Sequence, residues 1–321
     1  MSAEKVTIQE KVATGLAQSK LILVGEHSVV HGQPAISIPF SLVGVEATIQ
    51  GASEGIYLES TFYEGPIESA PEILTGIVRT IYQTMKVLNM PNEALLIRVH
   101  STIPPGKGLG SSASVAIAII KSLYVYAGES YTDEQLLQLA NISETYAHGA
   151  PSGIDSLTIT AVNPIWYQKK QPIESITVKG EFHFVVADTG LDADTKTAVD
   201  SVTKLLKTVP KKAYHAVERL GDITHQVRDA LERSSKQMLG NLLNEAQKEL
   251  EVIGVSNTSL NRLIHFARQE GALGAKLTGA GHGGCMIALA KNESHATLLG
   301  EKLKQFGAHA VWPFVLKNRS E

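Results

Sequence analysis

Residues Pro104–Ser114 read PPGKGLGSSAS. Glycines fall at Gly106, Gly108 and Gly110, with Lys107 among them. Ser111 and Ser112 then open a run of small and apolar residues that extends to about Ala127. Glycine lets backbone N–H groups approach an anion closely and accepts positive φ. A helix beginning at the serines aims orphan N–H groups and the positive end of its dipole at the same anion. The stretch therefore reads as a phosphate cradle feeding a buried helix. Two familiar phosphate loops do not fit it. A P-loop needs G-x-x-x-x-G-K-[ST], but Ser101 stands at the leading glycine position and Gly108 follows Lys107. The dinucleotide fingerprint needs a third glycine at an offset that this stretch lacks.

Upstream of the loop, Lys20–Val24 reads as a short buried strand and Leu42–Ile49 alternates as another. Ile73, Ile77, Ile81, Met85 and Leu88 recur at helical spacing, predicting a helix over about 72–88, and Leu95–Val99 is a further strand. Downstream, Thr132 and Gln135 form a capping box for a helix ending near His148. Between 163 and 180 the pattern turns polar, with NP, KKQP and KG signals, and a domain boundary is expected there. Phe182–Ala187 opens the second half as a strand. Helices follow from about 196 to 270, then strand AKLTG, a glycine-rich corner, strand CMIALA, a helix near 293–306 and a last strand AVWPFVL. Strands and helices intermix without regular βαβ alternation, which predicts an α+β protein of layered domains.

Composition narrows the class of function. The chain has 321 residues, 43 % apolar and 19 % charged, enough to bury a substantial core. A net charge of −3 without a long basic run argues against nucleic acid as partner. The single cysteine, Cys285, excludes a disulfide framework and a cysteine-rich zinc site, and it reads as a buried apolar group. The histidines show no paired metal spacing. The longest apolar run, Val115–Ile120, is far too short to cross a bilayer, and MSAEKVTIQEK has no signal-peptide core. A soluble cytoplasmic protein with no membrane partner is expected.

Three segments, in order, resemble the signatures of the GHMP kinases, whose members phosphorylate galactose, homoserine, mevalonate and phosphomevalonate. SKLILVGEHSVVHGQPA (Ser19–Ala35) is similar to the first, PPGKGLGSSAS to the second, and KLTGAGHGGC (Lys276–Cys285) to the third. GEHSVVHG is the most specific piece, and its form is that of the mevalonate branch. The resemblance implies a two-domain fold: an N-terminal ribosomal-protein-like α+β domain over 1–180 with the ATP-phosphate loop, and a C-terminal ferredoxin-like domain over 181–321. It implies an ATP-dependent, Mg2+-assisted kinase acting on the primary hydroxyl of mevalonate, and it leaves homodimer formation open. A sister kinase for phosphomevalonate or galactose, or a nucleotide sensor without catalysis, are the alternatives.

The resemblance also implies roles for residues. Pro105, Gly106, Lys107, Gly108, Leu109, Gly110, Ser111, Ser112, Ala113 and Ser114 would cradle ATP. Glu144 and Asp155, eleven apart in ETYAHGAPSGID, match an acid pair. Ser112 and Glu144 would hold Mg2+, and Asp155 would take the proton from the substrate hydroxyl with Lys20 as the nearby cation. Glu26, His27 and Thr195 would contact substrate, with His27 donating to a hydroxyl or carboxylate. Gly279, Gly281, Gly283 and Gly284 would support the phosphate loop. His282 departs from the family pattern, where many members carry glycine.

Overall fold

The computed structural model describes residues 11–90, 93–148, 153–193 and 195–318; the side chains of residues 147, 148, 195 and 196 lie outside that description. The chain forms two compact units, each discontinuous in sequence. Unit 1 takes its described residues from 11–19, 43–104 and 110–160, and unit 2 from 20–42, 105–109 and 161–318.

Two long strands, β1 (Val12–Val24) and β2 (Ala35–Gly51), contribute residues to both units. Unit 1 adds β3 (Ile56–Glu59), β4 (Glu64–Pro66), α1 (Thr75–Val87), β5 (Leu95–Ser101), α2 (Ser111–Ala127), α3 (Asp133–His148) and α4 (Ile154–Thr160). Its strands run in the order β4-β3-β5-β2, antiparallel except for β3 beside β5. Val45, Ala47 and Ile49 of β2 are buried while Glu46 is exposed, the alternation of a sheet with one face on the core. The capping box before α3 forms as expected: Thr132 N–H donates to Gln135 Oε1 at 2.9 Å, and Gln135 N–H to Thr132 Oγ1 at 3.2 Å.

Both first strands start earlier than expected. β1 begins eight residues before Lys20 because its inward positions are Ala13, Gly15 and Ala17, too small to register as a hydrophobic alternation. Their size has a cause. A Cβ at Gly15 would lie 2.2 Å from the Ala118 carbonyl oxygen on α2, so strand and helix backbones nearly touch. β2 likewise starts at Ala35 rather than Leu42, with Ala35–Phe40 wholly buried and hence without alternation.

Unit 2 adds β6 (Ile165–Tyr167), β7 (Glu174–Ser175), β8 (Phe182–Asp188), helices α5 (Thr195–Thr208), α6 (Pro210–Glu232), α7 (Lys236–Val252) and α8 (Thr258–Gln269), then β9 (Gly274–Thr278), β10 (Cys285–Leu289), α9 (Glu293–Phe306) and β11 (Ala310–Leu316). Its antiparallel sheet has the order β11-β8-β10-β9. Numbered within this sheet, that order is 4-1-3-2 with helices after the first and third strands, the ferredoxin-like arrangement. β8 is central. Asp188 at its end lies between Cys285 and Ala310, and it is fully buried.

Candidate active site

Gly110 adopts φ 75°, ψ 28° immediately before α2, and no side chain caps that helix start. The first helical bond runs from Ser114 N–H to the Gly110 carbonyl at 3.0 Å. The N–H groups of Ser111, Ser112 and Ala113 are thus the orphan donors of a 17-residue helix. Ala113 and Ser114 are fully buried, and the Ser114 hydroxyl lies 2.9 Å from the carbonyls of Gln18 and Gly110.

The acidic residues belong to the same unit. Ser112 Oγ is 3.5 Å from Ser143 Oγ, which seats the C-terminal part of α3 against the start of α2. Glu144 follows Ser143 on α3 and is only 4 % exposed. Asp155 is the second residue of α4, half-buried, just after Gly153 at φ 79°. The Pro151–Ser152 part of the turn before it lies outside the described residues. Ser112 and Glu144 offer a hydroxyl and a carboxylate, hard oxygen donors suited to Mg2+, an ion that usually takes one or two protein ligands beside phosphate and water.

Lys20, Glu26, His27, Pro105–Leu109 and the third-motif corner belong to unit 2. Thr195 starts α5 there, and its side chain lies outside the described residues. The glycine loop is tied to the end of β1 by a bond from Lys20 N–H to the Leu109 carbonyl, 3.3 Å. Leu109 is fully buried. The third-motif corner lies against the loop: a Cβ at Gly108 would sit 3.2 Å from Gly279 Cα. His282 takes φ 57°, so the corner keeps a glycine-like backbone despite its side chain. Its N–H donates to the Val255 carbonyl at 2.8 Å, and the imidazole is exposed.

Glu26 and His27 sit in the turn after β1, and both are buried. His27 Nε2 is 2.7 Å from the Ala280 carbonyl, which only accepts, so Nε2 carries the proton. Burial pushes the imidazole pKa down to about 4, opposed by that hydrogen bond and helped by His282, His31 and Lys276. His27 is therefore neutral near pH 7, and its buried Nδ1 holds a lone pair with no partner among the described residues. This corrects the donor role expected for His27. The one ring nitrogen left over accepts, so its match is a hydroxyl, not a carboxylate.

One residue to which the motifs gave no role completes this corner. Lys276 of β9, fully buried, donates to Glu26 Oε1 and to the Leu277 carbonyl. Burial pushes the Glu26 carboxyl up and the Lys276 ammonium down, and their mutual attraction opposes both shifts. Glu26 Oε2 is buried without a hydrogen-bond partner among the described residues. Its sequence signals were a lysine inside the apolar strand AKLTG and its place at the head of the third segment. Cys285 is buried as expected, its thiol pushed up by desolvation and by Asp188.

The family model for the GHMP kinases N terminal domain matches residues 74–163, and that for the GHMP kinases C terminal matches residues 227–309. A mevalonate kinase of Pyrococcus furiosus is 32 % identical over 86 % of this chain and 89 % of its own length. The chain belongs to the GHMP kinase family. A mevalonate kinase of Thermococcus sibiricus is 34 % identical to this GHMP kinase, over 85 % of the chain and 88 % of the relative. Among solved structures, L. major mevalonate kinase in complex with R-mevalonate superposes with a TM-score of 0.83 at 26 % identity, covering 100 % of both chains. A galactokinase from Lactococcus lactis, 17 % identical, shares the fold with a TM-score of 0.76. The two-domain GHMP fold is thus common to kinases of different substrates, and the site must discriminate among them. Among the described residues, no helix of this GHMP kinase is long and apolar enough to cross a membrane.

Proposed function

We propose that the protein is a cytoplasmic mevalonate kinase, transferring the terminal phosphate of ATP to the 5-hydroxyl of (R)-mevalonate. The observation that carries this reading is the Ser112–Ser143 contact, which brings the Glu144 helix to an uncapped helix start preceded by three loop glycines. Likeness over most of the chain to relatives named mevalonate kinase supports the choice of substrate. The family models end at 163 and resume at 227, a gap that contains the expected boundary near 180, whereas the compact units divide at 160 and group 20–42 and 105–109 with the residues after it.

Phosphoryl transfer asks for positioning and charge stabilisation more than for covalent chemistry. In this reading the N–H groups from Gly106 to Ala113 hold the polyphosphate, with the dipole of α2 behind them. Ser112 and Glu144 hold Mg2+, which neutralises phosphate charge when bound. Asp155 orients the attacking hydroxyl and accepts its proton, and Lys20 supplies positive charge. His27 Nδ1 and Glu26 Oε2 accept from substrate hydroxyls, with Thr195 on the substrate side. Gly279, Gly281, Gly283 and Gly284 hold the loop from behind.

The test is an ADP-release assay across mevalonate, phosphomevalonate, galactose and homoserine. Turnover confined to mevalonate is expected. Preference for another alcohol would reassign the substrate, and binding of nucleotide without turnover on any of the four would favour a sensor.

A further inference from the structure

Lys107 stands in the glycine loop, where a cation invites assignment to phosphate. Its surroundings direct it elsewhere. The side chain is only 7 % exposed, and Nζ donates to Asp192 Oδ1 at 2.8 Å. Nζ also lies 4.0 Å from Asp188 Oδ1. Asp188 is fully buried; its Oδ1 accepts from Gly190 N–H at 2.9 Å, and its Oδ2 has no partner among the described residues. Among those residues, Lys107 is the one cation within 4.0 Å of this carboxylate. Turning the ammonium towards a phosphate would strip a buried anion of its counter-charge.

The backbone adds to the same joint. Ala193 N–H donates to the Gly106 carbonyl at 2.7 Å, and Gly284 N–H to the Leu191 carbonyl at 2.8 Å. A Cβ at Gly283 would lie 2.5 Å from the Asp192 carbonyl oxygen, and one at Gly284 2.9 Å from that of Lys107. The loop, the third-motif corner and the segment after β8 are thus packed backbone to backbone, and the Lys107 side chain leaves on the aspartate side. The Asp192 side chain is 85 % exposed, so its orientation is set by this pairing rather than by burial.

We infer that Lys107 is a positioning residue: with Asp192 its side chain clamps the β8–α5 segment onto the glycine loop, and its ammonium is not a phosphate ligand. α5 starts at Thr195, three residues beyond Asp192. The clamp therefore links the nucleotide loop to the segment assigned to the alcohol substrate, an inference that rests on the kinase reading above for its kinetic consequence.

The test compares Lys107→Met, Asp192→Asn, the double variant and Lys107→Arg, using calorimetry with a non-hydrolysable MgATP analogue, steady-state kinetics and thermal melting. The clamp predicts analogue affinity within about twofold of wild type for all four. It predicts a rise of roughly fivefold to twentyfold in KM for mevalonate for each single charge-removing variant. The double variant should be no worse than Lys107→Met alone, the melting temperatures should be equally non-additive, and Lys107→Arg should restore most of the loss. Analogue binding weakened about tenfold or more by Lys107→Met but unchanged or tightened by Asp192→Asn would overturn the inference. So would additive shifts in melting temperature. The binding and melting arms need no alcohol, so a protein inactive on mevalonate would sink the kinase reading while these arms still decide the clamp.

Discussion

His27 donates its Nε2 proton to the Ala280 carbonyl, 2.7 Å away, across 253 residues of chain. The bond joins the first signature to the third and fixes the tautomer of a buried, neutral imidazole. That neutrality has a measurable consequence. The folded pKa is about 4 against 6.5 for the free side chain. Between these values the unfolded chain binds a proton that the folded one does not. The His27 contribution to stability therefore falls as pH drops below 6.5, and its loss is complete below 4. At about 1.4 kcal/mol per unit, the loss reaches about 3 kcal/mol. Denaturant unfolding followed from pH 7 to 4 should show it, and His27→Gln should flatten that window. His31, half-buried and also lowered, adds a smaller slope of the same sign that His27→Gln leaves in place.

Removing one partner of a buried ion pair leaves the other uncompensated. Lys276→Met should destabilise the fold by about 3–5 kcal/mol. Combining it with Glu26→Gln should recover part of that loss, because the stranded carboxylate is gone. Urea midpoints of the three variants against wild type measure both effects. Equal midpoints for wild type and Lys276→Met would contradict a buried charged pair.

Asp155→Asn should lower turnover by roughly two to four decades, since the carboxylate proposed to take the proton is replaced by an amide of the same shape. Nucleotide affinity should stay near wild type. Rapid-quench assays beside analogue calorimetry separate the two. Near-normal turnover would remove Asp155 from the reaction.

Ser112→Ala and Glu144→Gln each delete one proposed Mg2+ ligand. The Mg2+ concentration for half-maximal activity should rise about tenfold or more in each, with less change in the KM for the alcohol. Metal titration at saturating ATP reads this directly. Unchanged Mg2+ dependence in both would place the metal elsewhere.

The sequence conveyed what is local. The Thr132–Gln135 box, the boundaries of α9 and β11 and the glycine-to-helix step at Gly110–Ser111 all depend on neighbours within a few residues, and each formed where expected. The early half of β1 did not announce itself, because Gly15 serves close approach to Ala118 and adds nothing to a hydrophobic pattern. The candidate site was legible as positions but not as partnerships. Lys107 pairs with Asp192 85 residues away, and Lys276 with Glu26 250 residues away. Such pairs exist only once strands align, and no local pattern encodes them. The acceptor state of His27 was hidden for the same reason, since it follows from a carbonyl supplied by a distant turn.

Phosphorus NMR of the products formed from ATP and (R)-mevalonate tests the central claim most directly. A phosphomonoester coupled to the C5 methylene protons, formed in step with ADP, is the predicted result. ADP accompanied only by inorganic phosphate, or no consumption of ATP by the folded, nucleotide-binding protein, would contradict it.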